Sequence, residues 1–136
     1  MKKKNCISEF SSERSELLLR NFRESLARQS KISLQKAFED AVDAPAPRFW
    51  VSEARAMRVV SFLMRGEDIT QGMLPEKREM YLEIYRRAKE IKETRPWLPL
   101  GDIVFEIVNQ PAPRSYLRWQ TVQKIVNRVR QAKTNQ

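Results

Sequence analysis

Residues 45–50 read PAPRFW and residues 111–116 read PAPRSY, the same Pro-Ala-Pro-Arg run separated by 66 residues. Proline has no amide donor and biases the residue before it toward extended backbone. Each run therefore ends the helix in front of it and starts a stiff extended turn. Two such turns at one spacing constrain the chain more than any other feature, because they imply a folding unit written twice.

The flanking residues agree. At the same offset, Leu34, Ala37, Phe38, Ala41 and Val42 fall on Leu100, Ile103, Val104, Ile107 and Val108. Both sets have the spacing of one apolar helix stripe. Beyond the turns, Ala56, Val59, Val60 and Leu63 fall on Val122, Ile125, Val126 and Val129, a second shared stripe. Ser33 and Ser52 suit N-caps, Gly101-Asp102 opens the later middle helix, and Gly66 suits the residue just past a helix end. A longer helix precedes each pair. Residues 12–29 place Leu18, Phe22 and Leu26 four apart, and Pro75 opens a helix that runs to Pro96. That helix carries an inner stripe of Met80, Ile84, Ala88 and Ile91, with Glu83–Arg87 and Lys89–Glu93 pairing outside. The expected fold is all-α: two tandem three-helix, helix-turn-helix-like repeats packed into one compact unit. The repeats span 1–66, with a basic N-terminal tail, and 67–136, with a basic last helix. Trp50 and Tyr116, large rings after a rigid turn, are expected to pin each turn to the core.

Composition narrows the chemistry. The 136 residues include one cysteine, no histidine and three glycines. Zinc sites and histidine-activated nucleophiles are thereby excluded, and so few glycines argue against a glycine-rich phosphate loop. The acids are scattered along helix faces and show no sign of a catalytic pair in a cleft. No catalytic residue, metal or other cofactor is expected. No apolar run is long enough for a membrane span, the basic opening lacks the apolar stretch of a secretory signal, and the lone Cys6 fits a reducing cytoplasm.

Charge points toward a polyanion. The chain holds 26 Lys and Arg against 17 Asp and Glu, a net +9. In both repeats the middle helix is acidic, while the turn and last helix are basic. Residues 44–66 carry Arg48, Arg55, Arg58 and Arg65 against Glu53 alone. Residues 110–136 carry Arg114, Arg118, Lys124, Arg128, Arg130 and Lys133 with no acid. Opposite the core stripe of the final helix lie Gln120, Lys124, Asn127 and Gln131, flanked by Thr121, Gln123, Arg128 and Arg130. Their donor and acceptor groups match base edges in a major groove. Where the final helix has Gln123, Arg128 and Arg130, the earlier one has Met57, Phe62 and Met64, so that helix is expected to be partly covered by the other repeat. The leading expectation is a DNA-binding protein. Arg114, Arg118 and Arg130 would contact phosphates, and Lys124, Asn127, Arg128 and Gln131 would face bases. Arg48 and Arg114 have a second role open to them, bonding the carbonyls that end the middle helix. An acidic protein is the alternative partner. RNA ranks third, because single-strand recognition uses exposed aromatic rings.

Two helices, a turn and a basic third helix resemble the trihelical helix-turn-helix class, whose last helix enters the major groove. In tandem the pattern is similar to Myb-like and homeodomain-like arrangements. The PAPR-aromatic run also resembles that of small proteins of phages and mobile elements of gut bacteria. Those proteins bring no assigned activity; the expected role is that of a regulator or accessory factor of such an element. The turn here is about ten residues with two prolines and no glycine, whereas that class uses a turn of about three or four. The tryptophan spacing of Myb repeats is absent.

Overall fold

The computed structural model describes residues 10–134. The basic run at residues 2–4 and Cys6 lie outside the described residues. Among the described residues there are six helices: α1 (Ser11–Arg28), α2 (Leu34–Asp43), α3 (Glu53–Met64), α4 (Pro75–Thr94), α5 (Leu100–Val108) and α6 (Trp119–Thr134). The 66-residue offset reappears in their bounds. Leu34 and Leu100 open α2 and α5, Glu53 and Trp119 open α3 and α6, and Arg28 and Thr94 close α1 and α4.

Local signals set these ends. The Ser33 Oγ accepts from the Lys36 amide at 3.3 Å and the Ser52 Oγ from the Arg55 amide at 3.1 Å, each satisfying an orphan donor of a first turn. Pro75 occupies the first turn of α4. Gly66 follows α3 with φ +86°, where a side chain would be strained, and donates to the Leu63 carbonyl at 3.0 Å. The later middle helix starts one residue before the expected Gly101-Asp102, at Leu100, with Pro99 at its N-cap.

Packing divides the helices into two compact units, and the division does not fall at residue 66. Unit 1 takes the described residues up to Ala46 together with those from Pro113 onward, that is α1, α2 and α6. Unit 2 takes Pro47–Ala112, that is α3, α4 and α5. The expected blocks 1–66 and 67–136, packed as one unit, are thus replaced by two units in which the helix after each PAPR turn joins a pair from the other block. The reason lies in the turn. Its two prolines hold the backbone extended, so the chain runs on instead of folding back onto the helix it has just left. The end of each turn then bonds the last turn of the other middle helix. The Phe49 amide donates to the Val108 carbonyl at 3.0 Å, and the Ser115 amide donates to the Val42 carbonyl at 2.9 Å. Both boundaries cut their Pro-Ala-Pro-Arg run between alanine and the second proline.

In unit 1 the core joins Leu18, Leu19 and Phe22 of α1, Ala37, Phe38, Ala41 and Val42 of α2, and Val122, Ile125 and Val126 of α6. Phe22 and Phe38 stack with centroids 4.6 Å apart, and Trp119 extends the stack to Phe38 at 6.4 Å. Such pairs add about 1 kcal/mol beyond their burial. In unit 2 the buried set is Ala56, Val59, Val60 and Leu63 of α3, Met80, Tyr81, Ile84 and Ala88 of α4, and Ile103, Val104, Ile107 and Val108 of α5. Most of the predicted apolar stripes are buried, with Leu26, Ile91, Leu100 and Val129 half-buried at their ends; Leu34 departs from its stripe, 56% exposed where α2 begins.

The rings after the turns depart from expectation. Trp50 and Tyr116 are only half-buried. The residue before each is the buried one: Phe49 is 0% exposed and Ser115 is 2% exposed. In the extended backbone the inward position alternates, and it falls on 49 and 115. Tyr116 has φ 56°, in the left-handed region that a tyrosine rarely adopts.

Candidate nucleic-acid interface

α6 has a buried side and an exposed side, as an amphipathic helix must. Val122, Ile125 and Val126 face α1 and α2. Gln120, Gln123, Lys124, Asn127, Arg128, Arg130 and Gln131 are exposed, Thr121 is half-buried, and Arg118 is exposed just before the helix. The side chains of Arg118, Lys124, Arg128 and Arg130 make no hydrogen bond or ion pair among the described residues. Lys133 is different, since its Nζ lies 3.4 Å from the Glu16 carboxylate of α1. The outward face of α6 is therefore a row of amides and uncompensated cations along a rigid helix.

Not every predicted contact residue belongs to the unit that carries this face. Arg48, Arg55 and Arg58 belong to unit 2. Arg55 and Arg58 are exposed, and the Arg58 guanidinium lies 5.8 Å from the Phe62 ring centroid on its own helix. Met57, Phe62 and Met64 are half-buried, in keeping with the wider apolar face expected of α3. That helix packs against α4 and α5.

Arg48 and Arg114 are committed to the turns. Arg48 donates to the Phe49 carbonyl at 3.0 Å, the Val51 carbonyl at 3.2 Å and the Asn109 Oδ1 at 3.1 Å. Asn109 is the C-cap of α5, and its Nδ2 donates to the Phe105 carbonyl at 2.9 Å and to the Glu53 carboxylate at 3.2 Å. Arg114 reaches Asp43, the last residue of α2, at 2.9 Å. Both guanidiniums thus tie a turn to the end of a middle helix. This is close to the cap-like alternative, but the helix is the one in the other sequence block.

One cation stands out that periodicity did not single out. Arg14 of α1 is half-buried, and its Nε is shielded from solvent without a hydrogen-bond partner. Burial, and then repulsion from Arg128 of α6, hold its guanidinium below the ordinary arginine range. A signal existed in the sequence: at the 66-residue offset Arg14 falls on Met80, a member of the inner stripe of α4. An arginine at a core-stripe position calls for a reason.

Among the described residues, no group of His, Cys, Asp and Glu could hold a metal ion, and no helix is long and apolar enough to cross a membrane. No protein-family model, curated protein or solved structure matches the chain.

Proposed function

We propose that the chain is a non-enzymatic DNA-binding protein whose reader is α6, built on a doubled three-helix segment whose last helices have changed places. The observation that carries this reading is the outward face of α6. It presents Lys124, Asn127, Arg128 and Gln131, all exposed, in a stretch from residue 110 onward that contains no acid. Amide and guanidinium forks suit base edges, and an α-helix fits the width of a major groove. Arg118 and Arg130 would neutralise backbone phosphates, which orient the protein without reading sequence. Arg114, with its bond to Asp43, would hold the turn that aims the helix. A role as regulator or accessory factor of a phage or mobile element rests on the PAPR resemblance alone.

The test is a titration with duplex DNA across salt concentrations. Neutralising about two to four phosphates with the cations of this face gives a slope of log affinity on log salt of roughly −2 to −4. The Lys124→Ala/Arg128→Ala double variant, altered only on an exposed face, should fold normally and lose about tenfold or more in affinity. A flat salt dependence, or a double variant that binds as well as the parent, removes the reader.

A second reading, an adaptor that docks an acidic protein, is favoured by Trp97 and Phe105 of unit 2, which are 73% and 57% exposed. Aromatic side chains are enriched at the cores of protein–protein interfaces. Capture of one acidic partner, with no retention on duplex DNA, selects that reading.

A further inference from the structure

We infer that α3 of unit 2 carries a second phosphate-binding face, an arginine stripe that takes the backbone of duplex DNA without reading its bases. Arg55, Arg58, Phe62 and Arg65 follow one another at intervals of three, four and three residues, so they share one side of α3, apart from the buried Ala56, Val59, Val60 and Leu63. The three arginines are exposed and Phe62 is half-buried. The Phe62 ring holds two of them: the Arg65 guanidinium lies 4.6 Å from its centroid and the Arg58 guanidinium 5.8 Å. A ring restrains such a side chain without taking up the hydrogen bonds an acid would. Arg65 also donates to the Ser61 hydroxyl at 3.2 Å and lies 3.6 Å from the Glu67 carboxylate, an exposed pair weak enough for a phosphate to displace. Arg55 and Arg58 meet no acid among the described residues. Glu53, the one acid of α3, accepts from Asn109 instead.

Comparison with α6 gives the ligand. At the 66-residue offset the stripe falls on Thr121, Lys124, Arg128 and Gln131, part of the proposed reader. The amides of that reader, Gln120, Asn127 and Gln131, become Ala54, Ser61 and Arg65 on α3. What is lost is the set of amides that pair with adenine. What is kept is guanidinium, whose fork fits two phosphate oxygens. Phe62 also folds Arg58 and Arg65 back on their own helix, which suits a contact with backbone phosphates better than one with a groove floor. The row from Arg55 to Arg65 is about 15 Å long, enough to meet several phosphates of a duplex that carries one charge per about 1.7 Å of its axis. The inference rests on the DNA reading for the choice of duplex as the polyanion. It does not need α6 to be the reader.

The experiment titrates the full chain with a duplex pool of randomised core across salt concentrations and sequences the bound fraction. Three double variants are compared with the parent: Arg55→Gln/Arg58→Gln on the stripe, Lys124→Ala/Arg128→Ala on α6, and Arg20→Gln/Arg23→Gln on α1, which removes the same charge elsewhere. All six positions are exposed, so each variant should fold as the parent does, and circular dichroism checks it. The stripe should add about two to the salt slope that the cations of α6 give. Its variant should bind about five- to tenfold more weakly and lose that increment, with the base preferences of the bound fraction unchanged. The α6 variant should flatten those preferences, and the α1 variant should keep the slope of the parent. A stripe variant with the affinity and slope of the parent, or equal losses in the α1 variant, overturns the stripe and keeps the DNA reading. Base preferences that shift in the stripe variant overturn its indifference to sequence. Losses in the stripe variant, with the α6 variant unchanged, keep the stripe and discard α6 as the reader. A parent that binds no duplex discards both.

Discussion

Units 1 and 2 use the same three helical roles and spend their side chains differently. At two related positions they trade sizes. Unit 1 buries Phe22 on α1 with the small Ser115 after its turn, and unit 2 buries Ala88 on α4 with the large Phe49 after its turn. Close packing tolerates such exchanges when total volume is kept. Charge diverges further. In unit 2, Glu83 pairs with Arg86 and Arg87 at 2.8 and 2.7 Å, Arg86 also pairs with Glu90 at 2.8 Å, and Arg95 pairs with Glu106 at 2.9 Å. Among the described residues of unit 1, the cations of α6 meet no acid apart from the contact of Lys133 with Glu16. One unit thus has much of its charge paired along α4, and the other leaves most cations of α6 without an acid among the described residues.

The comparison holds only if each unit is assembled from both halves of the chain. A protease site inserted at the exposed Gln71-Gly72 tests this most severely. The earlier fragment would contribute α1 and α2 to unit 1 and α3 to unit 2. The later fragment would contribute the remaining helix or helices of each. Pulling them apart strips Val122, Ile125 and Val126 from unit 1, at about 1.5–3 kcal/mol for each buried aliphatic side chain. The fragments should therefore co-elute in native gel filtration and separate only in denaturant. Separation without denaturant would mean that each half packs by itself.

The trade in sizes can be sharpened next. Phe49 is fully buried, and the Arg87 guanidinium lies 5.0 Å from its ring centroid. Phe49→Ala should cost about 3–5 kcal/mol, because the ring leaves a cavity that the helices cannot close. Ser115→Ala removes one hydroxyl and should cost about 1 kcal/mol. Urea denaturation followed by far-UV circular dichroism measures both. Similar losses for the two would show that the turns are not anchored in the unequal way described.

What could be read from the chain follows from what is local. Ser33, Ser52, Gly66 and Pro75 act on the helix end beside them, so their roles were visible in the sequence. The outward face of α6 was equally visible, being the complement of its apolar stripe. The partners of each helix were not. A stripe says which side is covered and is silent on what covers it, so α3 and α6 could not be assigned to units. The turns misled by one residue, because an extended segment has no helical period to show whether Phe49 or Trp50 points inward. Outer-face pairs were partly legible. Glu83–Arg87 forms, whereas Lys89 lies 4.6 Å from the centroid of the Tyr85 ring one turn back. Arg14 could have been flagged by its match to Met80 at the 66-residue offset, but the shielding of its Nε shows only once α1 is packed.

The smallest expected effect concerns the acid side of stability. In unit 1 the Ser25 hydroxyl, itself 1% exposed, donates to Asp40 at 2.8 Å, and Lys36 lies 3.4 Å away. The Ser25 hydrogen bond first, then Lys36 and Arg28, hold the Asp40 carboxyl below the usual aspartate range. The related position in unit 2 is Glu106, which pairs with Arg95 and has no such hydroxyl, since Ile91 stands where unit 1 has Ser25. A carboxylate whose folded value lies below its unfolded one contributes stability above the unfolded value, about 3.9 for aspartate, and loses it as pH falls through the folded value. The Asp40 side chain is 32% exposed, so solvent screening limits the contribution to less than about 1 kcal/mol. Asp40→Asn should therefore lower the urea midpoint slightly at pH 7, and its gap from the parent should close as pH falls below about 4. A gap that stays constant from pH 7 to pH 3 would mean that the Ser25–Asp40 bond contributes through packing alone, leaving the two units alike in their response to acid at this position.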